Sequence, residues 1–128
     1  TGNELNVKVG LSICYDIRFP ELYRQLGEID IITVPAAFTY ETGQAHWHTL
    51  LASRAIENLC YVVGSAQWGE HYGNRRTYGH SMIVDPWGEI KDELPIGNGL
   101  VVSEIDLDHL AEVRSKFPAL SHRRINND

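Results

Sequence analysis

Cysteine is nearly absent: Cys14 and Cys60 are the only two in 128 residues. Two thiols are too few for the cross-linked framework of a small secreted domain. Reduced thiols and a cytoplasmic setting are therefore expected. Long apolar runs are missing too. None approaches the roughly 20 residues that span a bilayer, so no membrane role is expected. The opening Thr1-Gly2-Asn3-Glu4-Leu5-Asn6 lacks the basic and apolar regions of a signal peptide, and it lacks an initiator Met. Basic residues are in deficit, 11 against 17 acidic, for a net charge of −6. That sign argues against nucleic acid or an anionic membrane as the main partner, because both are bound through positive fields. Repeats and low-complexity stretches are also missing. The remaining composition, 43% hydrophobic and 22% charged, is that of a globular chain rather than a disordered one. Its length suits one domain with a buried core.

What is present is an alternation of strand and helix patterns. Val7, Val9, Leu11 and Ile13 alternate with Lys8, Gly10 and Ser12. This period of two predicts a strand ending at Cys14-Tyr15-Asp16. Pro20 suits the first turn of a helix and Glu21 its N-terminus. Leu22, Tyr23 and Leu26 supply the apolar side, and Gly27 the stop. Ile29, Ile31, Ile32 and Val34, before Pro35, read as a strand buried on both faces. Residues 38–44 read as a polar loop, 45–59 as a helix and 60–63 as a strand. Residues 68–79 read as a loop and 81–84 as a strand. Asp85-Pro86-Trp87-Gly88 fits a type I turn that opens a hairpin through Glu89-Ile90. Residues 100–105 read as a further strand. Asp106 or Asp108 caps a last helix, stopped by Pro118, before a polar tail over 121–128. The order implies an α/β domain with a mostly parallel sheet and a hairpin excursion. One face of such a sheet is left poorly covered, so a partner chain or a further segment is expected over it.

Cys14 stands where a strand ends and a helix is about to begin, which is where open α/β sheets place their sites. A thiol facing a helix N-terminus gains thiolate character and suits nucleophilic attack. The backbone N–H of Tyr15 is placed to meet a developing oxyanion. The plain alternative for Cys14 is a small buried hydrophobe. Cys60, between Leu59 and Tyr61, reads as core. Arg18 reads either as a surface ion pair with Asp16 or Glu21, or as a fork for a substrate carboxylate. On the residues alone Phe38 is core and Thr42 a loop residue or helix cap. His46 and His48 do not share a helical face. The six histidines show no zinc-type spacing, so no metal is expected. His80 is expected to make a structural hydrogen bond near the site, and Glu57 a salt bridge on its helix.

The run Gly10-Leu11-Ser12-Ile13-Cys14-Tyr15-Asp16-Ile17-Arg18-Phe19-Pro20-Glu21-Leu22 resembles the nucleophile segment of the nitrilase, or carbon–nitrogen hydrolase, superfamily. The resemblance continues through Pro35-Ala36-Ala37-Phe38, Thr42-Gly43, Ala45-His46-Trp47 and Arg54-Ala55-Ile56-Glu57-Asn58. It also covers Tyr78-Gly79-His80-Ser81-Met82-Ile83-Val84-Asp85-Pro86-Trp87-Gly88. It is greatest to the Nit branch, which includes the deaminated-glutathione amidases and ω-amidases. Tyr78-Gly79-His80-Ser81 and His122-Arg123-Arg124 lean toward the former.

The resemblance implies an α/β fold that is part of a four-layer α-β-β-α sandwich. Residues 1–128 would form the C-terminal part of a carbon–nitrogen hydrolase domain, with the N-terminal half outside them. It also implies a Cys-Glu-Lys catalytic set. Cys14 matches the nucleophile that forms a thioester, and Tyr15 supplies an oxyanion N–H. The Glu and Lys lie upstream of the Cys in family members, and nothing in residues 1–13 matches them. The isolated chain is therefore expected to be inactive. By the same resemblance Arg18 holds a substrate carboxylate, while Phe38 and Thr42 line the acyl pocket. The substrate would be a small-molecule amide of a keto acid or of deaminated glutathione. No cofactor is implied. The helix carrying Glu57 resembles a dimer surface, which implies a homo-oligomer. Two other readings stay open: a non-catalytic half that serves as a binding or assembly partner, and a nitrilase or N-carbamoyl hydrolase.

Overall fold

A computed structural model describes residues 6–125. β1 (Val9–Leu11), β2 (Ile31–Ala36) and β3 (Tyr61–Ala66) lie parallel. β6 (Ser81–Val84) and β7 (Ile90–Leu94) continue the sheet antiparallel, in the order β1-β2-β3-β6-β7. The helices are α1 (Pro20–Gln25), the single turn α2 (Tyr40–Thr42), α3 (His48–Asn58) and α4 (Leu107–Lys116). Pro20 opens α1, and Gly27 follows its end with φ +79°. Asp106 caps α4 by accepting the His109 N–H at 3.0 Å. No helix among the described residues is long and apolar enough to cross a membrane.

The sheet has two unlike faces because side chains alternate along each strand. One face carries Ile32, Val34, Val62, Met82 and Val84 and is sealed by Ile17, Tyr23, Trp47, Leu51 and Ala55. The opposite face carries Tyr61, Ile83, Ile31 and Val63. There α4 contributes Leu110, and the segment before it contributes Val101 and Ile105. This cover stops short of β1: Leu11 is 75% exposed and Ile13 67%. The open face expected from the element order is therefore on the β1 side of the sheet.

Four expectations need correction. Residues 38–44 are not simply a polar loop. Thr39 caps α2 through its Oγ1, and a π-helical turn, Gly43–Trp47, leads into α3. Residues 68–79 form a separate hairpin of β4 (Trp68–His71) and β5 (Arg75–Tyr78). Its loop holds Gly73 and Asn74 at φ +79° and +63°, the chemistry that hairpin loops need. The charged flanks hid the alternation. Residues 100–105 form no strand; the segment satisfies its apolar pattern by burying Val101 and Ile105 without joining a ladder. Finally, Pro35 does not stop β2. The last bond from the β1 side is Ser12 N–H to Thr33 O at 3.1 Å. Pro35 lies beyond it, where β2 has become an edge and no N–H is required.

The uncovered apolar face has a solution consequence. The 128-residue chain on its own will bind a hydrophobic dye or self-associate, as read by dye fluorescence and sedimentation velocity. A dye-negative monomer would contradict this.

Candidate active site

The turn that carries Cys14 is built from its backbone outward. After β1, Ser12 donates both its N–H and its hydroxyl to Thr33 O, and Tyr23 OH donates to Ser12 Oγ at 2.9 Å. Asp16 then folds the chain back: its carboxylate accepts the Ile13 N–H, while its own N–H donates to Ile13 O, each at 2.9 Å. The 3-10 helix Cys14–Arg18 follows directly. Cys14 is its first residue and has φ +40°, a left-handed conformation. Such a conformation costs a non-glycine residue about 1–3 kcal/mol and persists only where the surroundings over-determine it. They do so here. The turn's Ile17 is fully buried, and its carbonyl accepts the Nε–H of buried Arg54 at 2.9 Å. Glu57 in turn receives Arg54 Nη1 on both carboxylate oxygens at 2.9 Å.

Cys14 is partly exposed and opens onto a cavity of about 570 Å³. Pro35, Ala36, Ala66, Gln67 and Ser81 line it with Cys14. The cavity lies at the carboxyl ends of β1, β2 and β3, where the topology of a parallel sheet places sites. As first-turn groups, the N–H donors of Cys14 and Tyr15 have no partner inside their helix. The Tyr15 ring is exposed and packs on Phe19, with centroids 5.5 Å apart. Sequence reasoning missed Gln67 and Ser81. Ser81 Oγ accepts the Ala66 N–H at 2.8 Å, joining β3 to β6 at the cavity wall. The available signal was a lone polar residue heading an otherwise apolar strand.

Arg18, Phe38 and Thr42 are not among the residues that line this cavity. Among the described residues Arg18 pairs with neither Asp16 nor Glu21. Its two terminal nitrogens each lie 3.3 Å from His46 Nδ1. Since arginine only donates, that nitrogen is the acceptor. The guanidinium also sits 5.2 Å above the Phe38 ring. Phe38 is buried and packs on Trp47 at 4.9 Å between centroids. Thr42 Oγ1 lies 2.7 Å from Thr39 Oγ1, within the cap of α2. The structure thus brings Arg18 against both His46 and Phe38 and leaves Thr42 in a separate turn. His80 bonds to Glu93, and Trp47 Nε1–H donates to His80 O.

The two thiols differ sharply. Cys60 is fully buried, and burial pushes its thiol up to about 12, with Arg114 only partly opposing. A thiol in that range carries almost no thiolate at neutral pH.

With this geometry in view, comparisons with known proteins define the class. The carbon-nitrogen hydrolase family model matches residues 2–115, and the chain belongs to that family. A deaminated glutathione amidase from Synechocystis sp. is 55% identical over 117 residues, covering 90% of this chain and 43% of that protein. The crystal structure of Caenorhabditis elegans NitFhit superposes with a TM-score of 0.86 at 47% identity, covering 96% of this chain and 32% of that one. A mutant amidase from Nesterenkonia sp. AN1, with acrylamide added at its active-site cysteine, gives a TM-score of 0.70 at 29% identity. That match covers 91% of this chain and 46% of the amidase. The α/β fold is therefore the nitrilase fold, part of a four-layer α-β-β-α sandwich. The chain spans less than half the length of the curated relatives it matches, 46% of the Dictyostelium discoideum protein for example.

The contrast between the thiols gives a direct check. Iodoacetamide near neutral pH will label Cys14 and leave Cys60 unmodified, as read by peptide mapping. Equal, slow labelling of both would place Cys14 among inert thiols.

Proposed function

We propose that this chain is the nucleophile-bearing, C-terminal part of an amidase. Such an enzyme hydrolyses a linear C–N bond in a small amide that also carries a carboxylate, of the keto-acid or deaminated-glutathione type. The observation that carries this reading is Cys14, held in a left-handed turn at the mouth of a cavity with the Tyr15 N–H beside it. The named activity of the Synechocystis relative and the adduct on the Nesterenkonia cysteine support it.

In this mechanism Cys14 Sγ attacks the amide carbon, and the carbonyl oxygen takes up the electron pair. The Tyr15 N–H donates to that oxyanion. Collapse breaks the C–N bond. The nitrogen leaves as ammonia or an amine, with a proton delivered by a general acid. Water then attacks the thioester, forming the acid and returning the thiol. A Glu acting as base and acid and a Lys on the oxyanion complete the family's set. Both belong to sequence preceding residue 14 in family members, and residues 1–13 do not match their contexts. Arg18 suits a carboxylate because its fork is engaged by the Nδ1 of His46 rather than by an acid. A substrate carboxylate forms a stronger, charge-assisted pair and displaces that contact.

The test is turnover of a small dicarboxylic or α-keto amide by this chain joined to the segment that supplies the Glu and Lys. Cys14→Ser will abolish turnover with the fold intact; retained turnover would remove Cys14 from the chemistry. Assayed by itself, the 128-residue chain will be slower by at least about 10²–10⁴-fold, the contribution of one general base. Arg18→Met will raise KM about tenfold or more for a carboxylate-bearing amide, since loss of a charge-assisted hydrogen bond removes about 1.5–3 kcal/mol, and will spare an uncharged amide. An equal effect on both amides would assign Arg18 a structural role. A protein that turned over only nitriles or N-carbamoyl amino acids would belong to the other enzymatic reading.

A further inference from the structure

On the far side of the cavity wall, three ligand-type side chains converge from three separate elements. They are His48 at the start of α3, His80 just before β6, and Glu93 in β7. Glu93 Oε2 lies 2.7 Å from His48 Nε2 and 2.7 Å from His80 Nδ1, and the three donor atoms lie within 4.8 Å of one another. Glu93 is 45 residues from His48 and 13 from His80. No local spacing rule reveals such a set, so the expectation of no metal drawn from spacing did not test it.

We propose that His48, His80 and Glu93 form a binding site for one borderline divalent transition-metal ion, represented by Zn²⁺, with water in the remaining position.

Four observations carry this. First, two imidazoles and one carboxylate are a donor set of open tetrahedral zinc sites, whereas calcium and magnesium require mainly oxygen. Second, the distances need little change. Bonds of about 2.0–2.1 Å place tetrahedral donors about 3.3 Å apart. Rotation of the Glu93 carboxylate opens the two short contacts, so that one ion replaces the two hydrogen bonds. Third, the imidazoles are held in place by packing. The His80 ring stacks on Tyr78 at 4.0 Å and 17°, and His48 meets both rings edge-on, at 5.9 Å from Tyr78 and 5.1 Å from His80. The His80 backbone is fixed at φ +61° with its carbonyl bonded to Trp47. Fourth, the side chains are 35%, 20% and 25% exposed, enough for an ion to enter and for water to complete its shell.

The site does not depend on the amidase reading. Gln67 and Ser81 line both the Cys14 cavity and a second cavity of about 390 Å³ that His80 borders. A bound ion would therefore pin α3 to β6 and β7 behind the wall of the nucleophile cavity, without entering the chemistry.

The test uses the 128-residue chain carrying Cys14→Ser, so that no thiolate competes for the ion. The chain is stripped with chelator and titrated with Zn²⁺ by calorimetry and with Co²⁺ by visible absorption. One saturable ion per chain is expected, with the intense Co²⁺ bands of a tetrahedral site. Loss of an outer-shell partner already weakens metal sites about 10–100-fold, so Glu93→Gln and His48→Ala should each weaken binding at least tenfold. His46→Ala and His71→Ala should leave it unchanged. Glu93→Gln keeps an oxygen that can accept from the histidines, so its metal-free circular dichroism should match the parent and separate loss of a ligand from loss of fold. Absence of saturable binding, or unchanged affinity in both ligand variants, would overturn the proposal and leave the cluster a hydrogen-bonded clasp. Because the readout is metal binding and not turnover, failure here is distinguishable from failure of the amidase reading.

Discussion

The site depends on one buried guanidinium. Arg54, on the inner side of α3, is 5% exposed, which would be costly for an unpaired charge. Its Nε donates to Ile17 O and its Nη1 to both oxygens of Glu57, and Asn58 Nδ2 donates to its carbonyl. Hydrogen bonds to charged groups contribute about 1.5–3 kcal/mol each. That is the same order as the about 1–3 kcal/mol stored in a left-handed non-glycine residue. The Arg54 contact to the turn that follows Cys14 is thus strong enough to hold Cys14 in its strained conformation. Without it, the turn would have a buried carbonyl with no donor and no reason to keep the thiol at the cavity mouth.

The sheet around this clamp is asymmetric in a way that suits its place in the family fold. The face under α1 and α3 is closed by interdigitated aromatic and aliphatic side chains. The other is covered at one end only, where Arg114 on α4 reaches back to β2. It donates to Leu59 O at 2.9 Å and Ile29 O at 2.6 Å and pairs with Asp30 at 3.2 Å. Near β1, where Cys14 sits, the same face is open. In an α-β-β-α sandwich that face belongs against a second sheet, so Cys14 stands at the edge of what this chain covers by itself.

Much of this was legible from residues near one another in the chain. Alternation at Val9 and Leu11, Pro20 at a helix start, the β-branched run of β2 and the Asp85–Gly88 turn all encode backbone conformation locally. The failures are equally local in cause. The β4–β5 hairpin has charged flanks that mask its period, although Gly73-Asn74 marks its turn. Residues 100–105 read as a strand, but the Val102 N–H donates to the Asp92 side chain in β7 rather than to a backbone carbonyl, and Val101 and Ile105 pack without a ladder. At Pro35 the expectation of a strand end neglected that β1 is shorter than β2.

By itself the sequence determined the order of the five main-sheet strands and the longer helices, the position of a cysteine between a strand and a helix, and a family resemblance carried by contiguous motifs. All of these are properties of short stretches, in which side-chain pattern and backbone conformation constrain each other directly. Only the tertiary structure decided that Arg18 pairs with His46 over Phe38, that Cys14 is strained and held by Arg54, and that His48, His80 and Glu93 meet. Those contacts join residues 13 to 45 positions apart in the chain. They form only once helices and strands have docked, because short-range patterns say which face a residue occupies but not which residue stands opposite it.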